Sequence, residues 1–388
     1  MIFFKDESLV TQHAAQEQAV QDTSASLPTG EAQTSHAQDS HASADNAITI
    51  ANVVHRYPPI SARRSKSKGK KNQPIIAGSA RELALDNFSL NIPKGGMFAL
   101  LGPNGGGKST LFKIIATMLK PTSGQVNVMG HDVATQGHLV RSHLGVLFQM
   151  PSLDVQLTAY ENLRHQGHLY GLSGSDLKKR IDTWLERLGL ADNRDDLVLA
   201  FSGGMRRRLE LAKALLHRPS ILLLDEPASG LDPAARRDVW QHLKRLRDED
   251  GVTVALTTHM MDEADKSDRL AIINDGKLVA VDTPSNLKSR IGGDVITVTP
   301  KTDQNEHELE PLRVRIETTF GPWQNQKPPR IVDGKIFIEH HDGPSMVASL
   351  GASLANDIRS ITVGQPTLED VFMQLTGKAI DRTPVTNA

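Results

Sequence analysis

The sequence contains no cysteine, which removes structural disulfides, thiolate zinc sites and thiol catalysis, and suits a reducing compartment. It also has no stretch approaching the roughly 18 consecutive apolar residues of a transmembrane helix. The opening Met1-Ile2-Phe3-Phe4 runs at once into Lys5, Asp6 and Glu7, so no signal-peptide apolar core is expected and the chain should stay where it is made. Net charge is lacking too: 44 lysines and arginines against 45 aspartates and glutamates give -1, leaving no global field for nucleic acid or an acidic surface. Any such contact must be local. No internal repeat is visible.

What is present falls into blocks. The 388 residues suffice for one large domain or two medium ones. Residues 1–46 are mostly Ala, Gln, Ser, His and Asp, a composition that cannot offset the entropy of ordering, and they read as a disordered tail, as do residues 379–388. Arg63, Arg64, Lys66, Lys68, Lys70 and Lys71 crowd a segment without apolar residues. It reads as a solvated basic loop, with a contact to acidic lipid, nucleic acid or a partner as the alternative.

Beyond residue 75, short apolar runs alternate with amphipathic patterns. Residues 97–102, 145–149, 221–227, 252–259 and 270–279 read as strands, several buried on both faces. Helices are expected after Ser109, up to Lys120-Pro121, with Leu111, Ile114, Ile115 and Met118 at helical spacing; from Ser175, with Leu177, Ile181, Leu185 and Leu188 on one side; and after Pro233. Strands alternating with helices imply an α/β domain with a mainly parallel sheet. After Gly293 the texture changes. Residues 294–300, 313–318, 335–340 and 359–364 read as strands, 345–356 as a helix, and "TLEDVFMQLTG" as a short helix with Thr367 and Asp370 in a capping arrangement, together a small α+β accessory domain.

The chemistry begins at "GPNGGGKST": Gly102, Pro103, Asn104, Gly105, Gly106, Gly107, Lys108, Ser109 and Thr110. The pattern G-x-x-x-x-G-K-[ST] would arise by chance in a chain this long about one time in a hundred. Here an apolar strand feeds it and a helix follows, the context of a phosphate loop. Glycine backbones can curl around phosphate oxygens, Lys108 can neutralise the β- and γ-phosphates, and the Ser109 hydroxyl can ligate Mg²⁺. "ILLLDEP" supplies a matching end: Asp225 at the tip of a buried strand can hold Mg²⁺, and Glu226 is the candidate base for an attacking water.

"FSGGMRRRLE" is a second anion site by pattern. Ser202 can cap a helix whose Gly203 and Gly204 N–H groups are unhindered, and Met205, Leu209, Ala212 and Leu216 give that helix a packed face. Arg206, Arg207 and Arg208 point in different directions around it and read as a solvated or salt-bridged face.

In this order, residues 102–110, 202–205 and 221–227, the "SGLD" at 229–232 and His259 resemble the nucleotide-binding subunit of an ABC transporter, over roughly residues 48–290. The resemblance implies the P-loop NTPase fold of ABC ATPases at residues 47–292, with the basic insert at 58–80, a helical subdomain at 150–200 and the accessory domain at 293–378. It implies ATP and Mg²⁺ as cofactors and a second ATPase subunit, expected to be an identical copy, paired head to tail so that Ser202, Gly203 and Gly204 complete the partner's ATP site. It further implies that Gln149 senses Mg²⁺, His259 contacts the γ-phosphate, Asp232 lies at the subunit interface and Tyr57 stacks on adenine.

Two positions depart from the family pattern: Met205 replaces the signature glutamine, and Gly96 stands where glutamate is frequent. With Met205, the ending "PTLEDVFMQLTG" resembles the ATPases of ABC-2 type exporters, which implies ATP hydrolysis coupled to a separate transmembrane permease and a place on the inner face of the cell membrane. No specific nucleic acid is expected as a partner. The competing reading is a soluble ABC ATPase acting on nucleic acid or ribosomes through the basic insert; a regulatory module that barely turns over is disfavoured by Glu226 and His259.

Overall fold

The computed structural model describes residues 45–57, 83–301, 306–321, 323 and 327–377. The expected tails and basic insert lie outside these residues, except for Asp45 and Asn46, the latter opening the first strand. The chain begins with β1 (Asn46–Arg56) and β2 (Leu83–Pro93), continues through β3 (Met97–Leu101) into α1 (Lys108–Ile115), and then forms β4 (Ser123–Val128), β5 (His131–Asp132), α2 (Gly137–His143) and β6 (Leu144–Leu147). A helical segment follows, with α3 (Ala159–Leu169), α4 (Gly174–Arg187) and α5 (Gly203–Leu215). The chain returns to the sheet in β7 (Ile221–Asp225), α6 (Pro233–Asp250), β8 (Thr253–Thr258), α7 (Met261–Ala264), β9 (Arg269–Asn274), β10 (Lys277–Asp282) and α8 (Pro284–Ser289).

Six strands form the central sheet in the order β10-β9-β3-β8-β7-β6, parallel except for the β9–β10 pair. Its strands are continuous apolar runs because both faces are covered. Successive side chains alternate between faces: Phe98 and Leu100 join Leu223, Ala255 and Ile273 in a core with the antiparallel sheet β2-β1-β4-β5 and α1. Met97, Ala99 and Leu101 face the other way, with Leu222, Leu224 and Leu256, into a core built with α3 to α6. The central sheet is thus sandwiched, and only the ends of its strands are open.

Three expectations for the part up to α8 need correction. Residues 270–279 form a hairpin, because Asp275 and Gly276 both take positive φ, 48° and 76°, in a two-residue turn between the paired Asn274 and Lys277. The helix after the phosphate loop ends at Ile115, and Thr117 at φ 62° turns the chain so that Met118 is exposed. The strand expected to reach Gln149 stops at Leu147.

The C-terminal part runs β11 (Asp294–Pro300), α9 (Glu306–Phe320), β12 (Arg330–Val332), β13 (Lys335–His340), α10 (Gly343–Leu354), β14 (Ile358–Gly364) and α11 (Leu368–Thr376). Its antiparallel sheet has the order β12-β13-β11-β14, a split β-α-β pattern with α9 and α10 supplying side chains to one core. Residues 313–318 are helical in α9, not a strand. Val314 and Ile316 between charged residues imitate strand alternation, but Leu309, Leu312, Ile316 and Phe320 recur at helical spacing, Leu309 is buried, the other three line that core, and Arg313 bridges Glu310 and Glu317 along the helix. The capping box at α11 forms as expected, with Thr367 and Asp370 bonded reciprocally. Its Leu368, Val371 and Phe372 pack beside Leu287 of α8, so the chain leaves the sandwich after α8 and returns to it at α11.

Candidate active site

Adjacent parallel strands β3, β7 and β8 deliver Gly102, Asp225 and His259 to one edge of the sheet, where open α/β sheets bind ligands. The loop after β3 is tight: the Gly106 N–H donates to the Pro103 carbonyl at 3.1 Å, and Gly107 takes φ 103° before α1 begins. A Cβ at Gly107 would stand 2.5 Å from the Ala84 carbonyl, so only glycine lets the loop meet β2 there. The β9–β10 turn props it from behind, with the Gly276 N–H donating to the Gly106 carbonyl at 3.1 Å. Helix α1 then presents its unpaired first-turn N–H groups and positive end to the loop.

The buried Lys108 ammonium donates to the Gly102 and Pro103 carbonyls at 2.7 and 3.0 Å and lies 3.9 Å from Glu226 Oε1. Burial lowers its pKa, against the opposing pull of Glu226 and Asp225. Two of its three N–H donors therefore fix the loop, and the charge faces the carboxylates. The Ser109 hydroxyl donates to Asp225 Oδ1 at 3.1 Å, and the Thr257 hydroxyl donates to the same oxygen at 2.6 Å while accepting the Glu226 N–H at 3.0 Å.

Glu226 sits in the left-handed region at φ 48°, a conformation that a non-glycine residue keeps only when its surroundings hold it. Its Oε1 is 3.0 Å from His259 Nδ1. That hydrogen bond, aided by the nearby His259 and Lys108 charges, holds the Glu226 pKa below the usual carboxylate value in spite of burial. The same bond raises the His259 pKa against burial. The pair thus favours a charged acceptor and a protonated donor. Tyr57 follows β1, with its hydroxyl 3.1 Å from Thr110 Oγ1 and its ring edge-on to His55.

Residues 102–110, Tyr57, Asp225, Glu226 and His259 are therefore neighbours. The others are not. Gln149 is exposed, and its side chain makes no hydrogen bond among the described residues. Asp232 accepts the Ala234 and Ala235 N–H groups at 2.9 and 3.0 Å, capping α6. Ser202 caps α5 by accepting the Met205 N–H at 3.2 Å, and no hydrogen bond or ion pair joins Ser202, Gly203 or Gly204 to the phosphate loop. The two glycines also differ. A Cβ on Gly203 would find nothing nearer than 3.9 Å, whereas one on Gly204 would stand 2.9 Å from Ala235 Cβ. Gly204 is thus bare for packing against α6 as well, beyond the expectation that both simply expose N–H groups.

The expected solvated or salt-bridged arginine face is corrected in its solvated part. Arg206 donates to the Val198 and Leu199 carbonyls, and Arg208 donates to that of Leu188. Arg207, only 11 % exposed, pairs with Glu210 and reaches the backbone of Phe148, Glu226 and Pro227. All three grip main-chain oxygens.

Residues 85–229 match the family described as ABC transporter. The daunorubicin/doxorubicin resistance ATP-binding protein of Streptomyces peucetius is 38% identical over 300 residues, 77% of this chain and 89% of that protein. The chain belongs to the ABC transporter family. This ABC ATPase is also 35% identical to the linearmycin resistance ATP-binding protein of Bacillus subtilis (strain 168), over 81% of its own length and 97% of the relative's. Its fold matches an ATP-binding cassette solved as a dimer in a post-hydrolysis state with ADP and Pi, at 30% identity and TM-score 0.50 over 61% of this chain and 98% of that one. ATP-binding subunits of this family bind and hydrolyse ATP, and those of exporters work with a transmembrane permease. Among the described residues, no helix of this ABC ATPase is long and apolar enough to cross a membrane.

Two participants at the site escaped the sequence. Thr257 was hidden in an apolar strand, its only signal being a hydroxyl two residues before His259. Arg207 looked like one of three equivalent surface charges.

Proposed function

We propose that this ABC ATPase binds Mg²⁺–ATP on residues 102–110, pairs head to tail with a second copy, and drives a separate export permease. The observation that carries this reading is the split site: Lys108, Glu226 and His259 cluster at the sheet edge, while the second anion-type helix start, at Ser202 and Gly203, is exposed and does not touch them. A two-fold pairing brings the second onto the first. The Ser109 hydroxyl and the Asp225 carboxylate form a hard oxygen set that fits Mg²⁺, which is commonly held by one or two carboxylates plus substrate phosphates. Bound there, the ion neutralises phosphate charge. Gln149, exposed on its segment, is assigned to sensing the nucleotide only on closure.

Phosphoryl transfer to water depends on placement and charge stabilisation. Lys108 and the loop amides hold the phosphates, Glu226 takes a proton from the attacking water, and His259 orients Glu226 and contacts the γ-phosphate. Tyr57, whose hydroxyl lies beside Thr110, is assigned to stacking on adenine. Asp232, at the α6 cap, is assigned to the subunit interface. The permease contact is assigned to residues 150–200. Met150, which follows Gln149, is exposed, and Val155, Leu197 and Leu199 are exposed apolar side chains on two segments joined by the Leu199 N–H donating to the Val155 carbonyl. Residues 293–378 form the accessory domain, and membrane association comes through the permease. The resistance functions named for two relatives, with Met205 and the α11 motif, support export.

The test is capture of partners by the Glu226→Gln protein with ATP, from detergent-solubilised membranes and from cytosol. A polytopic membrane protein is expected; ribosomes or nucleic acid with no membrane partner would overturn the permease assignment and leave the ATPase chemistry standing.

A further inference from the structure

Arg207 is only 11 % exposed, and its planar fork is nearly saturated. Nε donates to the Pro227 carbonyl at 2.7 Å, Nη2 to the Glu226 carbonyl at 3.2 Å, and Nη1 to the Phe148 carbonyl at 3.3 Å and Glu210 Oε2 at 2.9 Å. Glu210, itself buried, uses its other oxygen to accept the Ser152 N–H at 2.9 Å, and Lys213 donates to the Ser152 carbonyl. One side chain on the signature helix thus ties together the main chain of Glu226 and Pro227 and, with Glu210, both flanks of Gln149. Four bonds in different directions define a position in a way that a single contact does not.

Glu226 is where such fixing matters. At φ 48° its peptide is held from both sides: Thr257 accepts its N–H, and Arg207 donates to its carbonyl. We propose that Arg207 is a positioning residue for hydrolysis, which holds the Glu226 carboxylate in its reactive orientation through the backbone and links that orientation to the segment around Gln149. This rests on Glu226 being the base. The link makes the base sensitive to both the signature helix and the segment leading toward the permease patch, without either touching the reacting atoms. A lysine here keeps the charge partner of Glu210 but not the fork that spans two consecutive carbonyls.

The test uses the full chain and steady-state ATPase kinetics, with binding of a fluorescent ATP analogue measured alongside. Arg207→Lys is expected to lower kcat by roughly tenfold to hundredfold, as a misplacement of about 1 Å does. KM and the analogue's dissociation constant should stay within about threefold of the parent, because the phosphate loop is untouched. The double variant Arg207→Met with Glu210→Gln removes both members of the buried pair together, so neither is left without the other, and it should show the same loss confined to kcat. Parental kcat in both variants overturns the proposal; so does a kcat loss accompanied by an equal weakening of analogue binding, which is the signature of a collapsed site. Glu226→Gln is measured in parallel. If it hydrolyses at the parental rate, the base assignment itself has failed, whatever the Arg207 variants do.

Discussion

The phosphate loop and the signature segment are both helix starts rich in glycine, yet they are built in opposite ways. The first is enclosed by its own chain: Ala84 and Ile273 crowd its glycines, the Gly276 N–H donates to Gly106, Lys108 faces Glu226 and Ser109 donates to Asp225. The second is anchored only from behind, by the Ser202 cap, by Gly204 against Ala235 and by three arginines on main-chain oxygens, and its Gly203 side is open. The difference teaches that a sequence motif for anion binding does not say whose anion. Internal packing does: a bare backbone without a steric reason inside the subunit points outside it.

The sharpest break of this comparison is at the enclosed half. Glu226→Gln is expected to lower kcat by about two to four orders of magnitude, with nucleotide binding retained in a filter or fluorescence assay. The open half is tested by mixing. Lys108→Ala and Gly203→Val proteins should each be inactive, and their mixture should regain part of the parental ATPase because a mixed pair holds one complete site. A mixture as inactive as its components would sink head-to-tail sharing.

A smaller effect separates the two signature glycines. Gly204→Ala forces Cβ against Ala235 and should cost about 1–3 kcal/mol of unfolding free energy by denaturant titration. Gly203→Ala should be neutral or slightly stabilising by the same titration, within about 1 kcal/mol, since alanine is the better helix former. Equal destabilisation at both positions would erase the asymmetry.

The smallest effect concerns pH. The His259 pKa is raised above 6.5, so its contribution to stability is fully present below 6.5 and is lost as pH climbs through the raised value. The Glu226 pKa is lowered below 4.5, so its contribution is fully present above 4.5 and is lost as pH falls through the lowered value. The pair should therefore add most between pH 4.5 and 6.5. In that window the difference in unfolding free energy between the parent and His259→Ala should peak, at about 1 kcal/mol for a partly exposed pair, and shrink on either side.

The enclosed half was legible because its signals are local. A glycine loop between a continuous apolar strand and an amphipathic helix can be read in one window, and so can Asp225 at the end of a strand buried on both faces. The antiparallel layer was not read, since β1 and β2 pair with register shifts near Asn52 and Asn87, both at positive φ, which break the period-two alternation. The hairpin at Asp275-Gly276 was readable from its turn pair and was overrun by the apolar residues on each side. Helix α9 was misread because a six-residue window holds one alternation, while the helical period needs the span from Leu309 to Phe320. Arg207 could not have been told from Arg206 and Arg208 by any local rule, because its acceptors come from segments that only the fold assembles.

The return of α11 onto α8 makes the segment from β11 to β14 a closed excursion of the chain, with departure and re-entry secured on the same surface. A chain held at both ends in this way is topologically a cassette. A load on it is shared by α8 and α11, and a linker of a few residues joining the two helices in place of the excursion would lower the loop-closure cost by about 2 kcal/mol. Helix α11 is then less a tail than the clasp of the ATPase itself.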